Sequence, residues 1–205
     1  TGRVFYRPLE TDGDVTSVHA VAPLLEQLLV VQDSDSVVVS GLSFQHATWH
    51  QPSSSKGYID VQAGFGLTRN MSTYGAGGAW ERMPAAVEVT GSQNVTVQQC
   101  IFTMLGGAGL SMGDGSSDST VVGSRFEWIS GSGIMLGGVH TENATADALR
   151  LSALNNRIAN TPCEYLGAVG IFAGYLSSGL IAHNELVNLS CKTRMLLSIC
   201  THASR

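Results

Sequence analysis

Charge is the first thing this sequence lacks. Lys and Arg number 11 and Asp and Glu 16, so 13% of the 205 residues are charged, about half the usual share. The net charge of −5 offers no basic footprint for a phosphate backbone, so nucleic acid is excluded as a partner. No run of ~18 apolar residues occurs, which excludes a transmembrane helix and leaves the membrane out as a partner. The four cysteines, Cys100, Cys163, Cys191 and Cys200, are too few for a disulfide scaffold in a chain this long. None forms a C-x-x-C pair, so neither a zinc site nor a thioredoxin-like motif is supported. No metal and no cofactor is expected. No charged-then-apolar leader is evident at Thr1, so a signal peptide is not read from this end.

What is present is glycine, at 24 residues against 5 prolines, with 43% hydrophobic residues and a mean hydropathy of +0.13. The length suits one good-sized domain. Abundant glycine with little charge points to many turns and few solvated helical faces, which is a β signature. Asn-x-Ser/Thr sites at Asn70, Asn94, Asn143 and Asn188 point to an extracellular or secretory-pathway location.

A repeat organises the chain. Leu105-Gly-Gly-Ala-Gly-Leu-Ser-Met-Gly113 recurs as Ile129-Ser-Gly-Ser-Gly-Ile-Met-Leu-Gly137 and as Leu166-Gly-Ala-Val-Gly-Ile-Phe-Ala-Gly174. The repeated glycines 109, 133 and 170 are 24 and 37 residues apart. A second motif precedes each, as in Val97…Phe102, Val121…Phe126 and Ala153…Ile158, with further copies at Val39…Phe44 and Ile181…Leu186. Two short strands per repeat, with one Asp-Gly and no Asn-Gly among them, argue against hairpins. Stacked repeats bury a continuous core. The expected fold is all-β, a right-handed parallel β-helix with loop insertions. The leucine-rich pattern is absent.

Strand alternation turns Leu110, Met112, Ile134, Leu136, Ile171, Ala173, Val87 and Val89 inward. It lines Glu88, Ser111, Met135 and Phe172 up as an outward column. Cys100, Ser124, Asn156 and Asn184 form a column at a turn, where stacked Asn side chains bond backbone and each other. Residues 1–35 read as an extended lead-in, with Val21–Gln32 left undecided between helix and strand. The β-helix is expected over 36–189, with insertions at about 48–82 and 138–149. Residues 190–205 contain no glycine and break the pattern. They read either as an atypical cap or as sequence foreign to the solenoid, which would leave the last coil open to association.

With these motifs laid out, the chain resembles the right-handed β-helix proteins of the pectin-lyase-like superfamily, and within them proteins related to family 141 of the glycoside hydrolases. The resemblance is carried by Val21–Glu26, Leu42–Trp49, Gly57–Gly64, Met83–Val87, Gly167–Tyr175 and His183-Asn184. Leu166 stands where members usually show a His, and no Gly- and Trp-rich strand follows Leu189. The polygalacturonase signatures and the clustered aspartates of pectate lyases are absent. The resemblance implies a carbohydrate-active protein acting on a polysaccharide or glycan. A non-catalytic β-helix that binds glycan, or supports a larger protein, is the second reading.

Glycoside hydrolysis needs two carboxyl groups across one bond. Counting back from Leu105, Ile129 and Leu166 aligns Thr103, Glu127 and Glu164, which would seat two glutamates on adjacent coils. Trp128 and Tyr165 follow them, and aromatic faces beside carboxylates suit a sugar ring. The competing reading is two solvated turn glutamates. Asp114 is a third candidate acid, although Asp beside Gly is first a turn residue. His140, Trp49, Tyr58 and Tyr175 complete the expected substrate-binding set.

Overall fold

The computed structural model describes residues 6–67, 80–113, 115–138, 148–189 and 195–197. Each repeat forms one coil of a parallel β-helix, and the coils build three sheets. Sheet 1 holds Leu29–Gln32, Ala85–Thr90, Ala108–Gly113, Ile134–Gly137, Ile171–Gly174 and Met195–Leu197. Sheet 2 holds Val38–Ser40, Thr96–Gln98, Thr120–Val122, Ser152–Leu154 and Leu180–Ala182. Sheet 3 holds Ser43–Gln45, Ile101–Leu105, Arg125–Ile129, Arg157–Ala159 and Glu185–Val187. A narrow fourth ladder links Asp35, Gln93, Ser117, Leu149 and Ser177.

The register stacks like on like. Leu29, Val87, Leu110, Ile134 and Ile171 form one inward column of sheet 1. Val39, Val97, Val121, Ala153 and Ile181 do the same in sheet 2. In sheet 3 the column is Phe44, Phe102, Phe126, Ile158 and Leu186. Its phenylalanines are stacked, with centroids 5.0 and 4.3 Å apart, an offset geometry that adds to plain area burial. The repeated glycines have a steric cause. A Cβ on Gly109 would lie 2.6 Å from the Gly133 carbonyl oxygen, and one on Gly133 would lie 2.7 Å from that of Gly170. The coils approach so closely there that only glycine fits.

Corners repeat as faithfully as strands. Ser36, Asn94, Asp118, Arg150 and Ser178 all adopt left-handed backbone at one corner. Gly41, Gln99, Gly123, Asn155 and His183 do so at the next, and His46, Met104, Trp128, Asn160 and Asn188 at the third. One left-handed residue per corner turns the chain, and in the inner coils the residue after it points inward. At the second corner those inward residues are the expected polar column. The Ser124 hydroxyl accepts from Cys100 N at 3.1 Å, Asn156 Oδ1 from Ser124 N at 3.0 Å, and Asn184 Oδ1 from Asn156 N at 2.9 Å. Asn156 Nδ2 donates to Val121 O and Asn184 Nδ2 to Ala153 O. Each side chain thus satisfies backbone groups that the turn would otherwise leave buried and unpaired.

Three features differ from the sequence reading or refine it. The first coil begins at Leu29, inside the expected lead-in, so the Val21–Gln32 segment ends as strand. The outward column of sheet 1 does not face water: Ser111, Met135 and Phe172 are buried. The first insertion covers them. Its strands Ile59–Gln62, Phe65–Leu67 and Trp80–Arg82 form a separate antiparallel sheet, and Phe65 meets Phe172 edge-on at 5.1 Å. Finally, Met195–Leu197 pairs in parallel with Ile171–Ala173, so this stretch of the tail extends sheet 1. The remaining tail, and residues 139–147 of the second insertion, lie outside the described residues.

Asn156→Ala is expected to destabilise the fold by about 1–3 kcal/mol, because it orphans buried backbone groups. The exposed Gln45→Ala should stay within about 0.5 kcal/mol of the parent. Urea denaturation of both variants checks the contrast.

Candidate functional site

The third corner builds the candidate site. Left-handed backbone at Met104 and Trp128 swings both side chains away from the core, and they are 58% and 55% exposed. In the next coil the chain leaves the repeat after Asn160 and makes a short loop before returning at Ile171. That loop is tied to the coil beneath. Thr161 Oγ1 donates to Ile129 O and Gly131 O at 3.0 and 2.9 Å. Cys163 N donates to Ile129 O, and Glu164 N and Tyr165 N both donate to Ser130 O. Glu164 and Tyr165 are therefore held over Ser130, beside Trp128.

The first insertion supplies the opposite wall. Asp60 accepts from Gly167 N at 2.8 Å, and Ala63 N donates to Gly167 O at 2.6 Å, locking the insertion to the loop. Trp49, Tyr58 and Tyr165 then meet pairwise edge-on, with centroids 4.5, 5.2 and 5.5 Å apart. The lead-in segment closes the rim: Thr48 N donates to Leu25 O, and His50 N to Glu26 Oε1 at 2.7 Å. The result is an open cleft of about 380 Å³, lined by Trp49, Met104, Trp128, Ser130, Glu164 and Tyr165 among others.

Four of the expected residues, Trp49, Trp128, Glu164 and Tyr165, therefore share one cleft. Tyr58 stands behind it in the aromatic cluster. Glu127 does not join them, and the expected pairing with Glu164 is corrected by the register. Glu127 faces Thr103 on one side and Ala159 on the other, because the extra residues of that coil come after Asn160 rather than before it. Asn160, not Tyr165, occupies the coil position equivalent to Trp128. Glu127 instead sits on the outer face of sheet 3, accepting from Arg125 at 2.9 Å and lying 3.5 Å from Arg157. Arg157 also pairs with Glu185. Tyr175 is half-buried just past the sheet 1 strand and does not line the cleft. Asp114 and His140 lie outside the described residues.

A second polar group escaped the sequence reading. On the outer face of sheet 1, Ser111 Oγ donates to Glu88 at 3.2 Å and accepts from Arg82, whose guanidinium also reaches Gly137 O at 3.4 Å. Glu88 was visible as part of the outward column. Arg82 was not, because it arrives from the insertion, and Gly113 lacks the side chain that would crowd it. Among the described residues no group of three His, Cys, Asp or Glu side chains is arranged to hold a metal ion.

The electrostatics follow from burial. Desolvation raises the Tyr58 pKa well above its ordinary value, with the nearby Asp60 carboxylate adding to the effect. Burial also raises Tyr165, helped by Glu164 and Asp60, and it raises the Cys163 thiol, helped by Glu164. Both phenols and the thiol are thus kept protonated at neutral pH. The cleft offers hydroxyls and ring faces, with Glu164 as the carboxylate among its described lining residues.

No family model matches the chain, and no curated protein does either. A solved structure described as a glycoside hydrolase superposes with a TM-score of 0.70 and 25% identity. The chain is similar to a glycoside hydrolase. The match covers 80% of this chain but 32% of that one, so this chain spans about a third of that hydrolase's length.

Tyr58→Phe tests the buried phenol. Its hydroxyl is buried beside the Asp60 carboxylate and makes no well-aligned hydrogen bond, so removal should change neutral-pH stability by no more than about 1 kcal/mol. A raised folded-state pKa gives stability that is complete below the ordinary tyrosine value of 10.0 and lost as pH rises above it. The variant should lose less stability than the parent between pH 10 and 12, which denaturant titration at each pH measures.

Proposed function

We propose that this chain is part of a carbohydrate-active β-helix protein of the glycoside hydrolase type, with family 141-like character, which engages a polysaccharide or glycan in the cleft beside Trp128. The observation that carries the proposal is the cleft itself: the exposed Trp128 indole on a solenoid corner, faced by the Tyr165 ring and the Glu164 carboxylate of the adjoining loop, with the buried Trp49 packed behind them. Ring faces stack on the apolar faces of sugars while the Tyr165 and Ser130 hydroxyls and Glu164 meet their polar edges. The hydrolase neighbour supports the same reading as an analogy of fold. Action on an extracellular or secretory-pathway glycan follows as part of the proposal.

Glu164 is the acid this chain brings to a glycosidic oxygen. Hydrolysis needs a second carboxyl facing it, at about 5–5.5 Å for retention or 6.5–9.5 Å for inversion. Among the described residues lining the cleft Glu164 stands without such a mate, since Glu127 is committed to two arginines. That observation favours a second reading, in which this chain binds the glycan and does not cleave it.

Trp128→Ala is expected to weaken glycan binding by at least about tenfold. Its effect on thermal stability should be small, because the side chain is more than half exposed. A glycan array followed by titration calorimetry measures the first, and thermal melting the second. Release of reducing sugar by the parent, lost in Glu164→Gln with binding retained, is the outcome expected of a hydrolase. Binding without released sugar decides for the second reading.

A further inference from the structure

The charge of the cleft is of one sign. Glu164 is the charged residue among its described lining, and no Lys, Arg or His lines it. The Glu164 side chain is exposed and forms no ion pair among the described residues. Glu164 N and Tyr165 N both donate to Ser130 O, so acid and ring are held as neighbours over the coil that carries Trp128. The cations of the adjoining surfaces are committed elsewhere. Arg125 pairs with Glu127, Arg157 with Glu127 and Glu185, and Lys56 with Glu81. Further acids stand close by. Glu26 accepts from His50 N at the rim, where the His50 ring lies against Leu24 O at 3.1 Å. Asp60 accepts from Gly167 N in the loop that carries Tyr165.

From this arrangement we infer that the cleft selects glycans bearing free amino groups, seating a sugar ammonium against the Trp128 and Tyr165 rings and the Glu164 carboxylate. The inference rests on the glycan reading of the cleft, in the form that binds without cleaving. The face of an indole or phenol ring carries the negative end of its quadrupole and attracts a cation placed over it. A carboxylate beside the rings adds charge-assisted hydrogen bonds, for which an ammonium has three donors. A neutral sugar laid over Glu164 would take water from the carboxylate and return no counter-charge, which is costly. A uronic acid or sulfated unit would bring like charge to Glu164, with Glu26 and Asp60 near, and like-charge contacts select against such a ligand. The receptor is also preformed. Trp49 is buried and meets Tyr165 edge-on at 5.2 Å, which holds that ring in place and reduces what ordering costs on binding.

Titration calorimetry at a mildly acidic pH that keeps sugar amines charged tests it. The ligands are deacetylated and N-acetylated chito-tetramers, neutral gluco-, xylo- and manno-tetramers, a tetragalacturonate and a lysine tetramer. The deacetylated chito-tetramer is expected to bind at least about tenfold more tightly than its acetylated and neutral counterparts, with the tetragalacturonate weakest. Raising the salt should erode this preference and leave the affinity for neutral sugars unchanged. Glu164→Gln should bring the deacetylated ligand down to the affinity of the acetylated one, about a tenfold loss, so that binding persists and the preference does not. The ligand series and the salt dependence of the parent protein stand as measurements even if that variant folds poorly. A neutral or acidic tetramer bound as tightly as the deacetylated one overturns the inference and leaves the glycan reading intact. So does a preference that survives in folded Glu164→Gln, or a lysine tetramer bound as tightly as the amino sugar. Absence of binding by every sugar overturns both.

Discussion

Everything in this protein depends on keeping successive coils in register at their corners. A strand shifted by one residue would turn its apolar set to the solvent and its polar set to the core. The register is held less by the strands, most of which are short, than by the three columns of left-handed residues that turn the chain at equivalent points. Left-handed backbone costs a non-glycine residue of order 1 kcal/mol or more. The cost is met because, in the inner coils, the residue after the left-handed one carries a side chain that serves the coil above or below. The Cys100–Ser124–Asn156–Asn184 ladder does this with hydrogen bonds, and Leu105 and Ile129 do it by burial. Strand, corner and core are one device repeated, which is why a low-charge, glycine-rich sequence is enough to specify it.

The same device creates the outward row on which the candidate site stands. A left-handed corner aims its own side chain away from the core, so whatever residue occupies it is displayed on rigid backbone. Where that residue is Asp118 or Arg150, the result is an exposed ion pair of small energetic weight. Where it is Trp128, the result is a fixed aromatic platform. Pre-organisation of this kind reduces the entropy lost on binding, because the indole is placed by the fold and not by a loop that must order first.

A second core outside the solenoid decides what surrounds that platform. The first insertion folds back over sheet 1 and buries Met135 and Phe172 against Phe65, Met83 and Trp49. The contacts that lock it, Asp60 to Gly167 above all, join residues 107 positions apart. The insertion thereby converts one face of a repetitive scaffold into a site with walls. It also brings Arg82 to Ser111 and Glu88, giving sheet 1 a polar group in an otherwise apolar cover.

Periodicity is what made the fold legible. The inward columns, the glycines at close approach and the polar corner column all recur at coil spacing, and each is visible in a single pass along the sequence. Trp49, Trp128, Glu164 and Tyr165 were legible as residue types suited to sugars. What tied them together was not, and the pairing of Glu127 with Glu164 went astray because an insertion has no period to say where it begins. Its place after Asn160 depends on the hydrogen bonds of Cys163, Glu164 and Tyr165 to the coil beneath. By itself the sequence determined the stacked coils, because each coil sees the same neighbours and local pattern repeats their demands. The tertiary structure alone decided the cleft, because its walls come from segments outside the repeat whose positions are set by contacts with distant residues.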